Sequence, residues 1–479
     1  MKTSAKVLTT IIVVGAAYAG LSWYVGQRAQ QEVQQFVEQA NDRMAKALGT
    51  SLGGRPKLAI SEYKRHVFSS DVVYTLSMTD ADNKRIELLI SDHMQHGPFP
   101  LEALASGEFA PLLVATRTRL IPSTFTQKWF ESVKGRSPIE GETRVGLGGK
   151  GSSSWKMLPV DVLENGESFK FSGGSITAGF TRGLRDSETH GVFDSLEYSS
   201  AASTERFLLK DIVLDSTVST AENEAVTVRS TAAASAVEIA AQSALPLKLE
   251  KVAISLDSSQ INNRIDGALR YDFGAIRVGD SSLGSLAAGV KGQNLNAQAL
   301  ADLTTEYDRI KARHGLSADD DFELSSDEAI ILRNKLWTVL DSQPTVSVDP
   351  FVWKNEQGQS SLKLAVNLGR PAQTSGDIDV AALIPQVIKR LDFDLSIEKP
   401  MFIQAFAQLQ GDPDHAKEAG ILGAMVFDQY AIRLRQAGLL KPDGDNIVTG
   451  LRYEKDRIDL NGRSMTVQEF VQRVLGVVM

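Results

Sequence analysis

"KRIELLISDHMQHGPFPLE", residues Lys84 to Glu102, decides how most of the chain is read. In its first half Arg85 and Glu87 alternate with Ile86 and Leu88, the period-two pattern of an antiparallel strand with one wet face. Its second half gathers two of the chain's six histidines beside an aspartate, then Gly-Pro-Phe-Pro, which invites a metal or acid–base reading. Strand geometry argues against that. His93 and His96 differ by an odd number of positions, so a strand points them to opposite faces and they cannot share one ion. Gly97 permits a positive φ, Pro98 and Pro100 fix φ, and each proline keeps its predecessor out of the helical region. The stretch is expected to be a stiff turn that leaves a strand and delivers Phe99 and Leu101 to a core.

The same texture extends from Pro56 to about Val290. "HVFSSDVVYTLSM", "PLLVATRTRLI", "RFLLKDIVLDSTV", "LKLEKVAISLD" and "GALRYDFGAIRV" are runs of Val, Ile, Leu, Phe and Tyr between Gly, Asn and Ser clusters. No long amphipathic helix lies between them, which excludes a βαβ architecture. Helices begin at Asn296, where Leu300, Leu303, Tyr307 and Ile310 form one stripe that Gly315 ends. Ser325 stands three residues before Glu328, a capping-box spacing. Pro400 with Gly411, and Pro413 with Gly438, bracket two more helices. A hairpin is expected around Asn355 to Gln359. The tail reads as two strands, an Asn461-Gly462 turn and a terminal helix.

"VLTTIIVVGAAYAGLSWYVG", Val7 to Gly26, is an uncharged run long enough to cross a bilayer. Lys2 and Lys6 precede it, so the positive-inside rule puts residues 1–6 in the cytoplasm and the body outside. Ala17-Tyr18-Ala19 has the form of a signal-peptide cleavage site. The apolar run continues past it through Leu21, Trp23 and Val25, so an uncleaved anchor is expected. After it, Val33, Val37, Ala40, Met44 and Ala47 recur at steps of four and three. That seam, two heptads long, suits either a homodimer contact or packing on the chain's own domain.

The expected fold is α+β: a transmembrane helix at 7–26, a membrane-proximal helix and linker at 27–52, a β-rich antiparallel body at 53–294, and a mixed α+β part at 295–479. This last part holds most of the helices. The chain has 479 residues, 42% of them hydrophobic, and a net charge of −8. No basic field is present to bind nucleic acid. There is no cysteine, which excludes disulfides, thiolate metal sites and cysteine nucleophiles.

No constellation survives testing. "GLGGKG" at Gly146–Gly151 has dinucleotide-loop spacing but is followed by "SSSWKMLPVDVL", which reads as a strand rather than the required helix. Ser61–Lys64, Ser153–Lys156 and Ser360–Lys363 match Ser-x-x-Lys, yet neither Ser-Asp-Asn nor Lys-Thr-Gly occurs. Asp412, Asp414 and His415 carry metal-ligating atoms, but Asp412-Pro413 reads as a helix start, where carboxylates are favoured electrostatically. No catalytic, cofactor-binding or metal-ligating residue is assigned, and no cofactor is expected.

"YKRHVFSSDVVYTL", "HGPFPL", "FSGG" at Phe171–Gly174, "WKNEQGQSSLKLAVNL" and "LNGRSMTVQEFV" follow one another behind the N-terminal run. This ordered set resembles the YdgA-like proteins of Gram-negative bacteria, a family defined by a domain of unknown function. The resemblance implies an inner-membrane protein with a periplasmic body, and brings no catalytic residues with it. The expectation is a non-enzymatic protein acting in cell-envelope organisation through protein contacts or self-association. The alternative is a β-sheet groove for an apolar ligand such as lipid.

Overall fold

β1 (Lys57–Arg65) pairs antiparallel with β2 (Ser69–Thr79), and every second residue of β2 is buried: Ser70, Val72, Tyr74, Leu76 and Met78. That alternation, repeated from strand to strand, builds the whole molecule. The computed structural model describes residues 37–38, 40–41, 44, 56–66, 69–79, 85–96, 112–203, 205–242, 244–314, 323–372, 385–410 and 415–478.

β3 (Arg85–His96) and β4 (Leu112–Ile121) extend the β2 edge, and a short helix α1 (Gln127–Ser132) leads to the hairpin of β5 (Ile139–Gly146) and β6 (Gly151–Met157). Next come β7 (Val160–Glu164), β8 (Glu167–Phe171) and β9 (Gly174–Phe180). One edge of β10 (Ser187–Ser200) pairs with β9 over its first half and with β8 over its second. Its other edge opens a meander of unusually long strands: β11 (Arg206–Thr220), β12 (Val226–Ala241), β13 (Ala244–Ile261), β14 (Arg264–Val278) and β15 (Ser281–Asn296). They run 15 to 18 residues each, against about 5–6 in an ordinary strand.

Two helices, α2 (Ala297–Arg313) and α3 (Ser326–Leu340), interrupt the chain before β16 (Thr345–Asn355), β17 (Gly358–Leu368) and β18 (Ile388–Ile397). A second helical hairpin, α4 (Lys399–Leu409) and α5 (Ala416–Gln436), precedes β19 (Ile447–Glu454), β20 (Arg457–Leu460), β21 (Arg463–Thr466) and α6 (Val467–Val478). β15 pairs directly with β16, so the meander continues across α2 and α3. All 21 strands belong to one antiparallel sheet.

This corrects the expected fold class. Most helices do fall after Asn296, but instead of a β body followed by a separate mixed part, one sheet continues as far as Thr466; α1 to α5 lie between strands that pair with each other, and α6 follows the last strand. The sequence is misleading there because the helices separate strands that pair, β15 from β16 and β18 from β19, and local pattern does not show that such strands are neighbours. Among the described residues no helix is long and apolar enough to cross a membrane. The expected span at Val7–Gly26 lies outside the described residues, as does the Gly97–Glu102 turn.

The main core lies between the first ten strands and the helical residues around Ala40 and Met44. Val72, Leu76, Val114, Val145, Ile176 and Phe193 are each at most 1% exposed. Ala40 and Met44 enter this core, and the Asn41 side chain bonds both backbone groups of Leu58, at 2.7 and 2.9 Å. Val37 packs against the same core, so the described seam residues make contacts within their own chain; Val33 and Ala47 lie outside the described residues.

The predicted capping box is formed. The Ser325 hydroxyl accepts from the Glu328 N–H, while the Glu328 carboxylate accepts from the Ser325 N–H and hydroxyl at 3.1 and 2.8 Å. These bonds, the hydroxyl first, and His314 beyond them hold the Glu328 carboxyl down at about 2. Ser325→Ala is expected to cost about 1 kcal/mol in urea denaturation at neutral pH. The Glu328 contribution is present above its unfolded pKa and fades as pH falls, so the gap between variant and wild type should narrow in acid.

Candidate binding surface

Strand pairing fixes which side chains stand side by side. From β11 to β19, Leu214, Ala232, Ile254, Tyr271, Ala288, Phe351, Leu362, Leu395 and Thr449 are consecutive direct partners. One step along is a second row: Ser216, Ser230, Leu256, Leu269, Val290, Val348, Leu364, Phe393 and Leu451. A third row is Val218, Val228, Ser258, Gly267, Gly292, Val346, Val366, Leu391 and Tyr453. Because strand side chains alternate, all three rows share one face. None of these residues is charged. Eight inter-strand steps of ~4.8 Å make this face about 40 Å wide.

A bulge keeps it unbroken. Between Val348 and Phe351 the register shifts, and Asp349 and Pro350 stand outside the pairing with β17. Both apolar neighbours thereby stay on the same side.

The opposite face is of another kind. It carries Arg229 with Asp257, Arg270 with Asp272, and Arg452 between Asp392 and Asp394, at 2.6 to 3.2 Å. Such exposed pairs add little stability, but they mark that face as wet.

What distinguishes the apolar face is incomplete burial. Followed from Leu214 the other way, its first row continues through Gly191, Ile176, Trp155, Gly141, Thr118, Asp92 and Val72. Every one of those is buried. From β11 to β19 none of the row residues is fully buried, and Ile254, Leu256, Val290 and Val346 are 38 to 47% exposed. α4 covers one end, where Asn355 donates to the Met401 carbonyl at 2.9 Å and the Ser360 hydroxyl meets the Met401 sulfur. At the other end the loop from α3 into β16 approaches β15, and the Asn294 side chain bonds the Ser342 carbonyl. The middle rows lie open. A wide apolar surface of this kind, rimmed by polar residues, is a feature of binding surfaces.

The sequence motifs fall elsewhere. His93 lies on the wet face, its Nδ1 2.5 Å from Asp71 Oδ1, and His66 Nε2 reaches the other oxygen of that carboxylate at 3.2 Å. The two imidazoles, His93 first, hold the Asp71 carboxyl below its usual range. Gly146 to Gly151 form the β5–β6 hairpin connection, with Gly149 at φ +81°. Ser153–Lys156 and Ser360–Lys363 are strand residues at odd spacing, hence on opposite faces, whereas a bulge at Ser61 puts its hydroxyl against Thr75 on the exposed face of β1 that also carries Lys64, which pairs with Glu62. Ser153 instead bonds Thr143 and receives the Trp155 indole N–H at 2.9 Å. His415 stands at the N-cap position of α5 without a side-chain capping bond, and Asp412 and Asp414 lie outside the described residues. Among the described residues no group of three or more His, Asp or Glu is placed to hold a metal.

Sequence reasoning left two features unassigned. The three rows had a local signal, since Leu269, Tyr271 and Phe273 alternate with Arg270 and Asp272. Asp92, noticed only as a neighbour of the histidines, had one too, since it shares the register of Ile86 and Leu88 in β3. It is 2% exposed, accepts from the Thr118 hydroxyl at 2.8 Å, and its carboxyl is pushed up to about 6, chiefly by burial.

No solved structure matches this chain. It is 24% identical over 497 residues to "Protein YdgA" of Escherichia coli K12, covering 98% of this chain and 96% of that one. It is 23% identical over 482 residues to "Uncharacterized protein YihF" of the same organism, with 97% of each chain covered. An uncharacterized protein of Haemophilus influenzae is 25% identical over 142 residues, 29% of this chain and 38% of its own. Residues 1–468 match the family described as "Bacterial protein of unknown function (DUF945)", and the chain belongs to that family.

Proposed function

We propose that this is a binding protein rather than an enzyme, held at the bacterial inner membrane with its body in the periplasm, whose uncharged sheet face carries a ligand built of acyl chains. The observation that carries the ligand reading is the contrast between faces: three rows across nine strands without a charge, none of them fully buried and four of their side chains 38 to 47% exposed, behind a face laced with ion pairs. Apolar surface left open to water is unfavourable in proportion to its area, and a flexible hydrocarbon covers it without needing a hydrogen-bond partner. The uncharged run after Lys2 and Lys6 supports the location. Envelope organisation through the membrane-proximal seam draws less support, because Ala40 and Met44 are already buried at home.

The full chain, extracted gently from membranes, is expected to retain phospholipid or another acyl lipid in native mass spectrometry. Leu256→Lys places a charge in the second row and should lower the retained lipid to under about a tenth, since an unpaired charge against hydrocarbon is strongly unfavourable. Thr217→Lys, on the wet face, should retain it. A lipid-free wild type, or equal retention in both variants, would end the ligand reading.

A further inference from the structure

The end of α5, the β20–β21 hairpin and α6 enclose an open hollow of about 780 Å³, lined by Arg433, Gln436, Arg463, Glu469, Gln472 and Arg473. Among the described residues none of the three arginines forms an ion pair within 4 Å, in a chain whose net charge is −8. The single acid is turned away to its own helix start: the Glu469 carboxylate accepts from the Thr466 N–H and hydroxyl at 2.7 and 3.1 Å. Arg473 spends one N–H on the Ala437 carbonyl at 3.4 Å and has others to offer.

Beside the hollow, α5 presents an apolar stripe to water. Ile421, Met425 and Ile432 are 57, 64 and 50% exposed, and their spacings of four and seven put them on one side of the helix, together with Asp428, whose charge is paired with Lys399 at 2.7 Å. Gln436, four residues beyond Ile432, continues that line into the hollow. Val471 on α6, next to Gln472, is 46% exposed. Guanidinium groups match phosphate oxygens in a two-pronged geometry, and a helix with an apolar stripe beside cationic groups lies in the interfacial layer of a membrane.

We propose that this hollow and the α5 stripe dock on an anionic phospholipid bilayer, the arginines taking lipid phosphates while Ile421, Met425 and Ile432 enter the acyl boundary. The inference extends the ligand reading above, since acyl-chain ligands are drawn from a bilayer, but it stands on different residues.

The absence of cysteine makes a single label straightforward. Met425→Cys, carrying an environment-sensitive dye, is reconstituted as the full chain into vesicles of phosphatidylcholine alone or mixed with phosphatidylglycerol. Emission is expected to rise several-fold in the anionic vesicles and little in the neutral ones. Arg433→Glu with Arg473→Glu should abolish the rise, as should high salt. Equal emission in both membranes, or a rise indifferent to charge reversal, would overturn the proposal. So would a rise removed by soluble glycerol phosphate, which would make the hollow a site for a free phosphate ester. If Met425→Cys fails to fold, the label moves to Ile421→Cys. A normal dye response with no retained lipid would remove the ligand reading alone, and the reverse result would remove docking alone.

Discussion

Phe193→Ala is expected to lose about 4 kcal/mol of folding stability, seen as a lower urea midpoint with an unchanged slope. Phe193 is 0% exposed, and β10 places it where the closed and open parts of the apolar face join. Its ring packs 6.0 Å from the Phe171 ring. The surrounding positions are shaped for it: a side chain at Gly174 would fall on the Phe193 ring, and one at Gly191 would approach it at 3.4 Å. Glycine neighbours have no side chain to move into the space that truncation leaves. The cavity should therefore stay largely open, which places the loss in the upper part of the range for aromatic truncations. A loss under about 1 kcal/mol would show that the sheet collapses there after all.

The second large effect is a pH dependence centred on Asp92. Its folded pKa is raised to about 6 from an ordinary 3.8, burial being the main cause and the Thr118 hydroxyl acting against it. A raised carboxyl pKa means that the folded state binds the proton more tightly than the unfolded one. The contribution is fully present below the unfolded pKa and is lost as pH rises through the folded value. A shift of this size corresponds to about 3 kcal/mol, given up between about pH 4 and pH 7. Asp71, on the other face, has a lowered pKa and works in the opposite sense, but in more acid solution. Asp92→Asn retains an oxygen for Thr118 and removes the charge. It should be more stable than wild type near neutral pH and nearly flat between pH 5 and 7 in thermal melts. Parallel wild-type and variant curves across that interval would show that Asp92 stays ionised and is stabilised by groups other than Thr118.

How much of this was legible depended on range along the chain. Val72, Tyr74, Leu76 and Met78 showed their common face through local alternation. Ser325 with Glu328, the β16–β17 hairpin near Asn355 and the Asn461-Gly462 turn could be read because each is completed within a few residues. His93 and His96 could be separated by parity alone, and Gly146–Gly151 could be recognised as a hairpin by the strand that follows it.

Other features needed partners that the sequence does not name. That Ile254 stands beside Tyr271 and Ala232 follows from register, which is set by hydrogen bonds between strands and not by the pattern within any one of them. The pairing of β15 with β16 across two helices made one sheet where composition suggested a change of architecture. Asp92 shares the even register of Ile86, Leu88 and Met94, so alternation gives its face, but the Thr118 hydroxyl that bonds it comes from another strand. Alternation thus determined by itself which side chains share a face. Whether that face is closed, as from Val72 to Gly191, or open, as from Leu214 to Thr449, was decided only by the tertiary structure, because cover comes from elements that local sequence does not specify.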